Sequence, residues 1–131
     1  MQQFHSLTIM IKVSDIRKAI GFYTSIGFDL IDTDEFHYGE GNINWAMMKN
    51  GGAAIMLNID GDDAPKSSQD FFLRVQDANA FYEAIKDNVI ITHELRDQFY
   101  GMRDFWFSDP FGYQWGAGHP LEEPKSVGEV K

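Results

Sequence analysis

The chain has 131 residues, 44% of them hydrophobic and 15% aromatic, so one domain of this length can bury about two-thirds of its unfolded surface without help from a metal or disulfide. It has no cysteine, which excludes disulfides, thiolate metal ligands and cysteine nucleophiles and suits a reducing compartment. A formal net charge of −9 repels phosphate backbones, so nucleic acid is not an expected partner; the acids are spread along the chain, as solubility requires.

No apolar run is long enough to cross a bilayer. The opening Met1-Gln2-Gln3-Phe4-His5 lacks the basic stretch of a secretion signal, and the apolar run from Leu7 to Val13 is broken by Thr8 and Lys12. The expectation is a cytoplasmic protein with no membrane partner.

Residues Leu7 to Val13 read as a strand whose alternate positions Leu7, Ile9, Ile11 and Val13 are all apolar. Ser14 or Asp15 can cap a helix with the stripe Ile16, Ala19, Ile20, Tyr23, ended by Gly27. Three strands follow, Phe28 to Asp32, Ile43 to Lys49 and Ala53 to Ile59, the last two joined by the hairpin signal Asn50-Gly51-Gly52. Residues 60–68 are polar, with Gly and Pro, and read as a linker.

The pattern then restarts. Asp70 to Val75 reads as a strand, and Asp77 can cap a helix with the stripe Ala78, Phe81, Tyr82, Ile85. Val89 to Leu95, Met102 to Phe107 and Tyr113 to Ala117 are three more strands, the last two joined by the tight turn Asp109-Pro110-Phe111-Gly112. The tail from His119 to Lys131 is polar and expected to be loosely held. The helix stripes coincide at equal offsets: Ile16 with Ala78, Ala19 with Phe81, Ile20 with Tyr82, Tyr23 with Ile85. The chain therefore reads as a single domain holding two repeats, about 5–59 and 69–118, each in the order β-α-β-β-β.

Two stretches carry a family likeness. One is Val13-Ser14-Asp15 leading into Ala19-Ile20-Gly21-Phe22-Tyr23 and Ile26-Gly27-Phe28. The other runs from Tyr100-Gly101-Met102-Arg103-Asp104-Phe105-Trp106-Phe107 into Asp109-Pro110-Phe111-Gly112-Tyr113. Over almost its whole length the chain resembles the vicinal-oxygen-chelate superfamily of glyoxalases, bleomycin-resistance proteins and dioxygenases. The resemblance implies an α+β fold of two βαβββ modules, with curved mixed sheets around a cleft and helices outside. It also implies a homodimer.

Enzymes of that superfamily hold a divalent metal with side chains on the first, fourth, fifth and eighth strands. Carried over by motif, those positions fall on Thr8, Met56, Asp70 and Gly116. A glycine has no side chain to offer, and a thioether is a poor ligand for a hard cation. One plausible ligand of four remains, so no metal and no cofactor is expected. His5, His37, His93 and His119 do not make up the loss: His93 and Glu94 are strand neighbours and point to opposite faces. His5 shares the parity of Leu7 and Ile9, and His119 lies in or near the tail.

Alternation assigns the cleft. If Ile9, Ile11 and Val13 pack on the helix, Thr8, Met10 and Lys12 face the other way, as do Ala54, Met56 and Asn58, then Asp70, Phe72 and Arg74, then Gln114 and Gly116. Trp45 and Met47 join them from the third strand. Arg103 stands with Arg96, Asp97 and Tyr100 in a further polar group that reads equally as a site or as surface ion pairs. The expected ligand-binding set is thus Thr8, Met10, Trp45, Met47, Met56, Asp70, Phe72, Arg74, Arg103 and Gln114. Methionine and aromatic side chains with a few polar groups suit a small organic molecule. The preferred reading is a metal-free binding protein like the bleomycin-resistance branch, sequestering a drug-like or cationic ligand and conferring antibiotic resistance. The alternative is a glyoxalase-type lyase, isomerase or dioxygenase with a displaced metal.

Overall fold

The computed structural model describes residues 1–35, 41–59 and 70–121. The first half runs β1 (Thr8–Val13), α1 (Ile16–Ser25), β2 (Asp29–Thr33), β3 (Trp45–Asn50) and β4 (Ala53–Ile59). The second runs β5 (Asp70–Arg74), α2 (Ala78–Ile85), β6 (Ile90–Asp97), β7 (Met102–Ser108) and β8 (Gln114–Pro120). The halves form two compact units. Among the described residues each pairs a mixed four-stranded sheet with a helix, the strands ordered β1-β4-β3-β2 and β5-β8-β7-β6. In both, the first strand lies parallel to the last and every other pairing is antiparallel. The expected linker at 60–68 and the tail beyond residue 121 lie outside the described residues.

Both helices start where an aspartate can satisfy orphan backbone donors. Asp15 adopts extended backbone and accepts from Lys18 N at 3.0 Å. Asp77 does the same for Asn79 N at 2.9 Å and Ala80 N at 3.2 Å. The Ala80 N–H, first among the causes, holds the Asp77 carboxyl below its ordinary range. A further donor of α2, Ala78 N, is taken by His119 Nδ1 at 2.9 Å. His119 therefore belongs to β8 and not to a loose tail: β8 runs on past Ala117 because Arg103 pairs across the ladder with His119 and Met102 with Pro120.

α1 ends at Gly27, whose φ of +120° is strained for a residue with a side chain. Asn50 Nδ2 donates to the Gly27 carbonyl at 2.9 Å, tying the β3–β4 hairpin to the end of the helix.

Alternation sorts each sheet into a helix-facing side and an open side. In the first unit Ile11, Val13, Ala46, Met48, Ile55 and Leu57 are buried toward α1, which contributes Ile16, Ala19 and Tyr23. In the second, Phe105 meets Phe81 and Tyr82 of α2 and stacks on Phe107, which stacks in turn on Trp115. Phe71 packs against Trp115 and Tyr113.

The turn before β8 is pinned by a buried carboxylate. Asp109, 4% exposed, accepts from Tyr113 N at 2.9 Å with Oδ1 and from the Trp115 indole N–H at 3.0 Å with Oδ2. Its own N–H reaches the Tyr113 carbonyl at 3.0 Å, and Gly112 takes φ +91° to close the loop. The polar atom of the largest core side chain is thereby satisfied.

Candidate functional site

The open face of the first sheet is built from strand register. Met10 pairs with Met56 across β1 and β4, and Met56 pairs with Met47 across β4 and β3. Asp32 on β2 pairs with Met47, so one row crosses all four strands as Met10, Met56, Met47, Asp32. Lys12, Asn58 and Trp45 form the row on one side, and Thr8, Ala54 and Lys49 the row on the other. Met10 is 52% exposed, whereas Met48, its neighbour by one on β3 from Met47, is fully buried on the opposite face.

The second sheet has the matching rows Asp70, Gln114, Ser108 and Phe72, Gly116, Trp106 and Arg74, Gly118, Asp104. In the middle row the Trp106 indole lies against the backbone of β8. A Cβ placed on Gly116 would meet three atoms of that ring at 2.6 to 2.8 Å. Phe72 leans on the same indole, with ring centroids 5.9 Å apart, and its Cζ would come within 3.1 Å of a Cβ on Gly118. Gly116 thus leaves the space that the indole fills, whereas a Cβ on Gly118 would first meet the Asp104 Cβ at 2.6 Å and the Arg103 carbonyl at 2.8 Å. His93 on β6 pairs with Trp106 and extends the row. Beside it, Gln114 donates through Nε2 to Ser108 Oγ and accepts from Thr92 Oγ1 at 3.2 Å.

Asp104 is wholly buried on this face. The turn after β6 folds back to satisfy it: Gln98 Nε2 donates to Oδ1 at 2.9 Å and the Tyr100 hydroxyl to Oδ2 at 2.6 Å. That hydrogen bond, then burial, then the carboxylate's charge push the Tyr100 hydroxyl up to about 12.

Of the ten residues expected to bind ligand, Thr8, Met10, Trp45, Met47 and Met56 share the open face of the first sheet. Asp70, Phe72, Arg74 and Gln114 share that of the second. Arg103 stands apart. It follows the parity of Phe105 and Phe107, and its guanidinium engages Asp97 at 2.6 and 3.1 Å and Asn79 of α2 at 3.3 Å. Sequence reasoning missed Trp106, Asp104 and Gln98, and placed Tyr100 only in the polar group with Arg96, Asp97 and Arg103. Trp106 was within reach, since it shares parity with the turn-proximal Ser108; Asp104 carried no sequence sign of burial.

The superfamily's metal positions do not fit a divalent cation here. Gly116 has no donor and no room for one beneath Trp106. Met56 offers a thioether in register with another methionine, and Thr8 pairs with Ala54 and not with Met56. Among the described residues no three His, Asp or Glu side chains gather as a metal site.

Two βαβββ units with open faces of this make-up define a vicinal-oxygen-chelate protein. The model of the Glyoxalase/Bleomycin resistance protein/Dioxygenase superfamily matches residues 5–116. The chain belongs to that superfamily. Among solved structures, TioX from Micromonospora sp. ML1 is similar with a TM-score of 0.75 at 19% identity, over 90% of this chain and 100% of that one. TnmS3 from Streptomyces sp. CB03234, an antibiotic binding protein, gives 0.70 at 26% identity over 92% and 98%. A variant of the fosfomycin resistance protein FosX from Listeria monocytogenes, complexed with Mn(II) and a dihydroxypropylphosphonic acid, gives 0.73 at 15% identity over 91% and 94%. Among the described residues no helix is long and apolar enough to cross a membrane.

Proposed function

We propose that the protein binds a small organic molecule without a divalent metal or other cofactor in its ligand site, and that it sequesters a drug-like or cationic compound as a resistance protein does. The observation that carries this reading is the Trp106 indole lying where a side chain at position 116 would have to stand. It replaces a would-be donor with an aromatic wall, completed by Phe72. Flat or cationic groups favour such a wall. The likeness to the antibiotic binding protein TnmS3 supports the same reading. A homodimer, a single-domain chain and a cytoplasmic location go with it.

The test uses purified protein, metal analysis by mass spectrometry and thermal melting with metal-free bleomycin, with an acridine dye as a flat aromatic cation. The expected result is no stoichiometric divalent ion, and a higher melting temperature with at least one of the two compounds. A ligand at about 100 times its Kd adds about 2.7 kcal/mol of stability. A stoichiometric divalent ion, or stabilisation by Mn2+ and by neither compound, would overturn the proposal.

A further inference from the structure

Three of the chain's six methionines stand in one row across three adjacent strands of the first sheet. Met10 on β1 and Met47 on β3 flank Met56 on β4, all on the open face. Directly opposed residues hold their Cβ atoms about 5 Å apart. The outer two sulfurs therefore need only lean inward over the middle strand to meet the third. Methionine has three rotatable bonds to do so, which leaves room for an ion above Met56.

We propose that Met10, Met47 and Met56 form a thioether site for a soft monovalent cation, Cu(I) or its redox-inert analogue Ag(I). Thioethers select such ions and reject hard divalent ones. Three neutral ligands suit a single positive charge, and a singly charged ion tolerates Lys12, which occupies the neighbouring row. Asp32 closes the row at its far end with a negative charge. Trp45 lies two residues before Met47 on β3 and on the same face, where an indole can add a cation–π contact to the bound ion. On β3 itself Met48, one residue on from Met47, is wholly buried toward α1, whereas Met47 is half-buried on the open face; Met10 on β1 is half exposed. The inference does not rest on the organic-ligand reading and stands or falls separately from the bleomycin experiment.

The experiment titrates Ag(I) nitrate, in chloride-free buffer, into full-length protein labelled with 13C at the methionine methyl groups. One equivalent should shift the methyl signals of Met10, Met47 and Met56 and leave Met48 and Met102 in place. Thioethers have no proton to lose, so affinity should be unchanged between pH 5 and pH 7, unlike a site of histidines or carboxylates. Met10→Leu and Met56→Leu should each lower Ag(I) affinity at least tenfold, and Met102→Leu should leave it unaltered. Leucine conserves volume, and the exposed Met10 keeps the test open should the Met56 variant not fold. Shifts scattered over every exposed methionine, no saturation at one equivalent, an affinity that falls with pH, or wild-type affinity in Met10→Leu would each overturn the proposal.

Discussion

The indole of Trp106 fills the space that a Cβ on Gly116 would occupy, with ring atoms 2.6 to 2.8 Å from that point. The two residues face each other across β7 and β8, so position 116 can gain a side chain only if the ring gives way. Gly116→Ala should destabilise the protein by about 1–3 kcal/mol, the usual range for overpacking a filled space. The loss should shrink in a Trp106→Ala background, because the clash partner is gone. Urea unfolding of the two single variants and the double variant measures the coupling. Additive effects would mean that the ring does not set what position 116 can carry.

Tyr100 and Asp104 give a prediction in pH. The phenol ionises at about 10 in the unfolded chain and is pushed up to about 12 in the fold, by its hydrogen bond to Asp104 first. A pKa raised on folding contributes stability that is present below pH 10 and is lost as pH rises toward 12. The difference between wild type and Tyr100→Phe in stability should therefore vanish over that window, and the difference in phenolate absorbance should have its midpoint near 12. Below it the variant should be less stable by about 1 kcal/mol, a charged hydrogen bond discounted for a side chain that is half exposed. A phenolate midpoint at the ordinary tyrosine value would show that the turn does not hold the hydroxyl on Asp104.

What could be read from the sequence followed strict alternation. Ile9, Ile11 and Val13 against Thr8 and Lys12 mark core and open face by residue type, and the period of two then carries Met10, Met56 and Phe72 to the open side with their polar neighbours Lys12, Asn58 and Arg74. The method failed where that contrast disappears. Phe105, Trp106 and Phe107 are three aromatics in succession, so nothing in their chemistry says that the middle one faces away from the core. β2 and β6 shift register at Leu30/Asp32, Ile91/His93 and His93/Arg96, which breaks any count of parity. Asp104 reads as a surface acid. Its burial depends on Gln98 and Tyr100 arriving from a turn, a tertiary event that no local pattern encodes. His119 reads as tail because its neighbours are polar, yet it completes β8 and accepts the Ala78 N–H.

Asp109 is a second carboxylate that a sequence reading places only in a turn. It holds two donors, the Tyr113 N–H and the Trp115 indole N–H. Asp109→Ala would leave both buried donors short of a partner, at about 1–3 kcal/mol each. The expected loss is thus about 2–5 kcal/mol in urea unfolding. Asp109→Asn keeps one side-chain acceptor and should lose less. Equal stability of the two variants would show that the turn, and not the pair of hydrogen bonds, secures β8.

Met47 and Met48 are sequence neighbours that the pleat sends to opposite faces of β3. Met48 is wholly buried against α1 and pairs with Ile55 across the ladder; Met47 pairs with Met56 on the open face. Met48→Ala should cost about 2–5 kcal/mol, because it removes a packed side chain and leaves a cavity. Met47→Ala removes the same atoms from a half-buried site, so its effect should stay near 1 kcal/mol or below. Thermal or urea unfolding of the two variants, measured side by side, provides the check. If the two losses were alike, the division of the sheet into a packed face and a face free for ligand would be wrong, and the assignment of Met10, Trp45 and Met56 to the open side would fall with it.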